Sequence, residues 1–311
     1  MDPESGRLPW GPLIVWRITD GRRGHDSQSL GLTQALGRLT PCQTFDLPAL
    51  PWPRALAGWL AGNLPGTERL PNPQLIVGAG HGTHASILAA RRARGGRAVV
   101  LMRPTLPSHC FDFCIIPEHD PGPASDRVLR SNGPLNTLRA ATQQDPARGL
   151  ILIGGPSRHF HWRFDELLPR IQKLLAATGL RWTLSDSPRT PCADSDRLAG
   201  LPGADFVRHG DVAADWLEHQ LRSAGTVWVS ADSMSMIFEA LTAGSAVGIL
   251  ELPARRTDRV TRAVSELIAR GMVTPFSSWQ HGHRHVGHRP ALAEADRCAA
   301  LLLQRMNAGS T

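Results

Sequence analysis

Short apolar runs typical of β-strands alternate along this chain with segments whose apolar residues recur at helical spacing. In the first half, the run Leu13–Ile18 is followed by a helical segment that ends near Leu39. In the second half, the run Leu150–Ile153 precedes a helical segment that begins at Phe164. Strands that alternate with helices predict parallel sheets with helices on both faces, so we expect an α/β fold.

A loop-rich segment, residues 117–149, divides this alternation into two series. We therefore predict two doubly wound, Rossmann-like domains, residues 1–148 and residues 149–311, the second of which carries a C-terminal helix. Ligands of doubly wound sheets bind beyond the carboxyl ends of the strands. Two such domains that face each other would enclose one cleft.

Composition excludes several classes of protein. The longest apolar runs fall far short of the ~18 residues of a membrane-spanning helix. The first residues, MDPESGRLPWG, contain two acids and no apolar core, which indicates that they are not a signal peptide. Five scattered cysteines favour reduced thiols and a cytoplasmic location. The net charge of +7 favours anionic partners, but the arginines are spread along the chain, so nucleic acid is not expected.

The strongest motif follows a strand that ends at Ser230. Asp232 or Ser233 is suited to cap the next helix, whose free N–H groups and positive dipole end would bind a phosphate. Ser235 and Glu239 share one helix face, separated by a rise of ~6 Å, which spans the distance from a diphosphate to a ribose diol. An ordinary capped helix with a solvated Glu239 is the alternative interpretation.

A second loop follows the strand Ile151–Ile153. Gly154 and Gly155 would let the backbone approach a ligand closely, and Ser157 and Arg158 could hydrogen-bond a phosphate. A plain turn between a strand and a helix explains the same residues.

Candidate site residues also follow three strands of the first half. His25 lies in a glycine-containing turn after the first strand, where it could take up a proton or merely cap the loop. Gly80 belongs to a half dinucleotide fingerprint, but the next strand ends in Arg103 rather than an acid, which disfavours NAD. The loop of Glu118, His119 and Asp120 suits acid–base chemistry or acceptor binding, unless it is only a solvated loop.

Two motifs could hold a metal ion, but both are incomplete. Asp194 and Asp196 form a D-x-D motif, which holds a metal in some sugar transferases, but no second acidic cluster accompanies it. The histidine-rich segment His281–His288 lacks Cys or acid partners at zinc spacing. We predict no metal site.

An apolar helix is predicted within Pro51–Pro65. Trp52, Leu56, Trp59 and Leu60 form one stripe, which is either a core face or a patch for an anionic membrane surface.

Six motifs, taken together, resemble the mitochondrial-fission ELM family, over about residues 13–276. They are Asp20-Gly-x-x-Gly-His25-x-x-Gln28-x-Leu-Gly31, Gly78-Ala-Gly80, Pro117-Glu-His-Asp120, Leu152-Ile-Gly-Gly155, Arg189-Thr-Pro191 and Ala231-Asp-Ser-x-Ser-Met236-Ile-x-Glu239-Ala240. Bacterial members are regarded as glycosyltransferases of GT-B architecture, some linked to lipopolysaccharide outer-core assembly. The plant branch, named for mitochondrial division, implies a non-catalytic role.

The resemblance implies a metal-independent GT-B glycosyltransferase with no cofactor and a nucleoside-diphosphate sugar as its donor. The second domain would bind the donor through Gly154, Gly155, Ser157, Arg158, Arg189, Thr190, Asp232, Ser233, Met234, Ser235 and Glu239. The first domain would bind a glycan or lipid-linked acceptor through Asp20, Gly24, Gln28, Gly80, Glu118 and His119. His25, with Asp120 as the alternative, would be the catalytic base.

Two alternatives stay open, a nucleotide-sugar epimerase of the same architecture and a non-catalytic adaptor that recruits partners to a membrane. The sequence departs from the family pattern at Pro188 and His81, where arginine is usual. We expect a cytoplasmic bacterial protein with peripheral contact to the inner membrane through Trp52–Leu60.

Overall fold

The chain folds into two units, each built on a six-stranded parallel sheet. The described parts of residues 1–137 and 293–311 form the first unit, and those of residues 138–292 form the second. The computed structural model describes residues 11–120, 122, 125–281, 286–287 and 290–308.

The strands are short, and those inside the sheets are mostly buried. The first sheet contains β1 (Leu13–Thr19), β2 (Cys42–Pro48), β3 (Leu75–Ala79), β4 (Arg97–Leu101), β5 (Phe113–Pro117) and β6 (Val128–Ser131). The second contains β7 (Asp145–Leu152), β8 (Arg181–Ser185), β9 (Ala204–Val207), β10 (Ala224–Ser230), β11 (Ala246–Leu250) and β12 (Thr274–Pro275).

Helices connect most of the strands, because parallel pairing requires crossover connections. In chain order they are α1 (Arg23–Leu39), α2 (Trp52–Ala61), α3 (His84–Arg94), α4 (Phe164–Thr178), α5 (Cys192–Ala199), α6 (Trp216–Ser223), α7 (Met234–Ala243), α8 (Arg259–Ala269), α9 (Phe276–His281) and α10 (Glu294–Ala308). The predicted pair of doubly wound α/β domains is confirmed.

Each sheet reverses its strand order once. The first has the order β2-β1-β3-β4-β5-β6, so the chain turns back between β1 and β3. The second has the order β12-β11-β10-β7-β8-β9 and turns back between β7 and β10. Helices leave such a point on opposite faces, which opens a crevice at the carboxyl ends of the two strands.

The C-terminal helix corrects the predicted division of the chain. Cys298, Ala299 and Leu302 of α10 are fully buried in the core of the first unit, together with Leu32 and Leu36 of α1. The apolar face of α10 is covered there and not on the second sheet, to which the sequence analysis assigned it. The first unit also ends at residue 137 rather than residue 148.

Candidate functional site

The predicted site residues gather at the reversal points of the two sheets. His25 and Gly80 follow β1 and β3, and Gly154 and Asp232 follow β7 and β10. The two clusters lie in different units and are described separately.

In the first unit, His25 forms a pair with Asp20. The imidazole Nδ1 lies 2.8 Å from Asp20 Oδ2, and the side chains are only 17% and 10% exposed. Asp20 Oδ1 accepts a hydrogen bond from the backbone N–H of Arg22 at 3.2 Å. A carboxylate that holds Nδ1–H fixes the tautomer in which Nε2 can accept a proton.

Two glycines make room for this pair. Gly80 has a φ of +78°, and a Cβ built on it would lie 2.2 Å from the imidazole of His25. A Cβ on Gly82 would lie 3.1 Å from Asp20 Oδ2. The glycines after β3 therefore leave the space in which Asp20 positions His25.

His25 lies in the first turn of α1, which begins at Arg23, rather than in the loop that the sequence predicts. Gln28, one turn later, is buried, and its amide donates to the carbonyl of Gly24 at 3.2 Å. Gly31 permits close packing, because a Cβ there would lie 2.2 Å from the backbone oxygen of Asn136. The acceptor role of Gln28 and Gly24 stays a prediction.

The structure does not bring the alternative base, Asp120, next to His25. Asp120 follows β5, three strand spacings or about 14 Å from β1. Its side chain is 2% exposed, and its carbonyl accepts from Arg130 at 2.8 Å. Glu118 in the same turn is exposed, and His119 is half-buried.

In the second unit, Asp232 joins the two loops that the sequence predicts to bind phosphate. Asp232 Oδ2 accepts from the N–H of Gly155 at 2.9 Å, and Oδ1 accepts from the hydroxyl of Ser230 at 2.7 Å. Gly154 lies so close that a Cβ there would be 2.1 Å from Asp232 Oδ2. Asp232 is thus a buried connector and not the side-chain cap of α7.

Arg189 and Thr190 hold the same loop from the end of β8. Arg189 forms an ion pair with Asp232 Oδ2 at 2.8 Å, and its guanidinium also donates to the carbonyl of Gly155 at 3.3 Å. Thr190 is buried and donates to the carbonyls of Ile153 and Gly154. Arg189 is 41% exposed, so it can hold the loop and still meet a ligand.

The loop continues into a histidine–aspartate pair that sequence reasoning missed. His159 Nδ1 lies 2.6 Å from Asp258 Oδ2, and Asp258 caps α8. Burial raises the pKa of Asp258, but hydrogen bonds from His159, Thr261 and Val260 outweigh it and hold this pKa well below its usual range. The hydroxyl of Ser157 accepts from the N–H groups of residues 159 and 160.

The start of α7 leaves polar groups uncommitted. Ser233 is the N-cap residue, but its side chain makes no capping hydrogen bond, so the first-turn N–H groups at residues 234–236 have no acceptor within the helix. Ser235 is exposed. Glu239, one turn later, is partly buried, and burial raises its pKa to about 7.

The candidate metal motifs are engaged elsewhere. Asp194 accepts from the indole N–H of Trp162 at 2.7 Å, and Asp196 pairs with Arg208 at 2.6 Å. Within the described ranges, no group of three potential ligands lies close enough to hold a metal ion. His281 Nδ1 lies 2.6 Å from the carbonyl oxygen of Ser277, and the other histidines of the predicted histidine-rich segment lie outside the described residues.

The tryptophan helix exposes its apolar stripe. Only Ala55 and Gly58 of α2 are buried, whereas Trp52 and Leu60 are 67% and 65% exposed. The core interpretation of this stripe is therefore wrong, and contact with a membrane surface stays a prediction. Among the helices that could be described, none is both long and apolar enough to cross a bilayer.

Solved structures of nucleotide-sugar enzymes share this fold. The UDP-GlcNAc 2-epimerase from Methanocaldococcus jannaschii matches with a TM-score of 0.60 at 12% identity, over 94% of this chain and 99% of that one. The Neisseria meningitidis UDP-GlcNAc 2-epimerase bound to UDP-GlcNAc matches with a TM-score of 0.55 at 12% identity, over 95% and 99%. The predicted GT-B-like fold class is confirmed.

Sequence comparison identifies the family. No curated protein sequence matches the chain. The sequence model for mitochondrial fission ELM1 matches residues 23–306, which is most of the chain and includes the second cluster and His25, but not Asp20. The resemblance that the motifs suggested is confirmed, and the chain belongs to the mitochondrial fission ELM1 family.

Proposed function

We propose that the protein is a GT-B glycosyltransferase that moves a sugar from a nucleoside diphosphate to a glycan or lipid-linked acceptor of the cell envelope. The observation that carries the proposal is the start of α7. Uncommitted N–H groups lie one turn before Glu239, which has no hydrogen-bond partner within the described part of the chain. This arrangement suits a diphosphate and a ribose diol.

The donor site would combine binding groups with a rigid frame. The N–H groups of Met234 and Ser235, the Gly154–Arg158 loop and the exposed part of Arg189 would bind the diphosphate. Glu239 would accept hydrogen bonds from the ribose. Asp232 and Thr190 would position the loop, since their side chains are already bonded within the protein.

The proposed reaction uses His25 as the base. Nε2 takes the proton of the acceptor hydroxyl while Asp20 holds Nδ1–H. The acceptor oxygen bonds to the anomeric carbon, and the bond from that carbon to the diphosphate breaks with both electrons on the leaving oxygen. The helix N-terminus and arginine would stabilise this negative charge, so the mechanism requires no metal.

An epimerase is the second candidate. Solved structures that share the fold are named as UDP-GlcNAc 2-epimerases, and one is bound to UDP-GlcNAc. Such an enzyme needs acid–base groups but no acceptor. Incubation of the protein with UDP-GlcNAc alone separates the two candidates, because only an epimerase would change the sugar without an added acceptor.

The reaction would take place at a membrane surface. The exposed stripe Trp52–Leu60 on α2 would hold the protein on an anionic membrane surface at the cytoplasmic side. Salt should weaken this contact, because its charged part is screened.

Donor binding can be tested by thermal shift with UDP-, GDP- and CMP-sugars. A ligand that binds only the folded state raises the melting temperature. Glu239→Ala should remove most of that rise, whereas Glu266→Ala, at an exposed position on α8, should leave it unchanged. If no nucleotide sugar shifts the wild-type melting curve, the donor site does not exist and a non-catalytic adaptor becomes the better interpretation.

A further inference from the structure

An apolar pocket opens between α2 and α3 in the first unit, and we call it the α2–α3 pocket. Its volume is about 500 Å³, within the usual range of small-molecule sites. Trp52, Leu56, Trp59, Leu88 and Leu106 supply most of its apolar lining. Apolar side chains thus line a cavity here, as expected for a site that accepts an apolar chain.

The surface around this pocket is unusually apolar. Six large apolar side chains of the described residues are exposed, and five of them, all except Leu39, belong to the lining or to the same face of α2. An exposed apolar patch next to a pocket marks an interaction site. Its concentration at one place distinguishes it from the scattered exposed leucines of an ordinary surface.

One residue of the lining also has a polar side-chain atom without a partner. His84 lines it and is 4% exposed, and Nε2 is buried with no hydrogen-bond partner in the described chain. Nδ1 lies 3.3 Å from the hydroxyl of Thr105. If Thr105 donates to Nδ1, Nε2 carries the proton and can donate to a ligand oxygen. Burial holds the pKa of His84 near 4, so this donor is neutral at pH 7.

The charge of the surrounding chain selects the kind of ligand. Residues 47–111, which supply every side chain of the lining, contain seven arginines and one acid, Glu68. Arg92 lies on the ring of Trp59, 5.1 Å from its centroid. A headgroup that lies beside Arg92 would therefore be favoured if it is anionic.

We propose that the α2–α3 pocket holds one acyl chain of an anionic membrane lipid, whose ester oxygen accepts a hydrogen bond from His84. The proposal rests on the membrane contact in the proposed function and gives it a specific ligand, but it does not depend on the donor site. Surface contact alone leaves the pocket and the unpaired Nε2 unexplained.

Vesicles with brominated acyl chains test whether a chain enters, because bromine quenches tryptophan on contact. Phosphatidylglycerol vesicles should quench the wild-type fluorescence, and phosphatidylcholine vesicles should do so much less. Ala85→Phe, which fills the pocket, should remove more than half of the quenching. Ala57→Phe, at an exposed position of α2 outside the lining, should keep it. Equal quenching of the wild type and Ala85→Phe would overturn the proposal.

A single-chain probe tests the hydrogen bond. Lysophosphatidylglycerol, below its micelle-forming concentration, should bind the wild type in calorimetry. His84→Leu should weaken binding about fivefold, the effect of one hydrogen bond, without lowering the melting temperature. This variant keeps the test decisive if Ala85→Phe does not fold. No binding to the wild type, or equal binding to His84→Leu, would refute the assignment.

The nucleotide-sugar thermal shift, measured on the same preparations, distinguishes the two proposals. A protein that binds nucleotide but no lysophosphatidylglycerol disproves the pocket and leaves the donor site intact. A protein that binds lysophosphatidylglycerol but no nucleotide disproves the donor site and leaves the pocket intact.

Discussion

The reversal points of the two sheets share one arrangement of residues, but its role differs between them. At each one, a glycine after one strand leaves space for an ionisable side chain from the segment that follows the neighbouring strand. Gly80 accommodates His25 between β3 and β1, and Gly154 accommodates Asp232 between β7 and β10. The two side chains differ in how many of their polar atoms are already bonded.

His25 bonds Asp20 through Nδ1 only, whereas both carboxylate oxygens of Asp232 are bonded within the protein. A group with an uncommitted atom can react, but a fully bonded carboxylate can only hold its neighbours. We therefore expect the first point to carry the reactive group. The second point is a frame, and the groups free to bind a ligand lie next to it on α7.

The largest expected effect comes from Gly80→Ala. The new Cβ would overlap the His25 ring, so we expect turnover, measured as release of nucleoside diphosphate, to fall ~100-fold or more. Gly21→Ala is the matched control, because Gly21 has a φ of +73° and open space at its Cβ position. It also places a side chain at a positive φ, but without the contact. Equal losses in both variants would show that strain, and not displacement of His25, limits turnover.

Asp232→Ala should destabilise the second unit by about 2–3 kcal/mol, because the N–H of Gly155 and the hydroxyl of Ser230 lose their buried acceptor. Chemical denaturation measures this loss. Asp205→Ala, at an exposed position of β9, should change stability by less than about 0.5 kcal/mol. If the Asp232→Ala protein is stable but no longer binds nucleotide, Asp232 binds the ligand and does not merely hold its neighbours in place.

The central elements of the fold were predictable from sequence, and the edges were not. β1 and β10 are interior strands with buried apolar runs, which the pattern identifies directly. β2 and β9 are edge strands without a fully buried residue, so they lack such runs. The packing of α10 on the first unit depends on contacts with α1, more than 250 residues away, which local periodicity does not encode.

The candidate site was predictable as a set of loops but not as a set of contacts. Because parallel strands end at one edge of a sheet, the sequence brings Gly154 and Asp232 to the same region. It does not show that Asp232 is fully bonded or that Asp20 holds His25. Sequence reasoning also missed the His159–Asp258 pair, whose residues are 99 positions apart. Its only local signal is the position of His159 next to the predicted phosphate loop.

The smallest expected effect is on how the free energy of unfolding depends on pH. It distinguishes Glu239, which has no hydrogen-bond partner among the described residues, from Asp232, whose carboxylate is bonded within the protein. Burial raises the pKa of Glu239 to about 7, above the ~4.3 of an unfolded chain. Between these values the folded state binds one more proton than the unfolded state, so the free energy of unfolding falls as pH rises from about 4.3 to 7. Glu239→Gln should remove this decline, about 2 kcal/mol after screening by water at a partly exposed carboxyl. Denaturation at pH 5 and pH 8 measures it, with Glu266→Gln, at an exposed site, as the control. A wild type and Glu239→Gln with parallel pH profiles would show that Glu239 is ionised in the folded protein across this range.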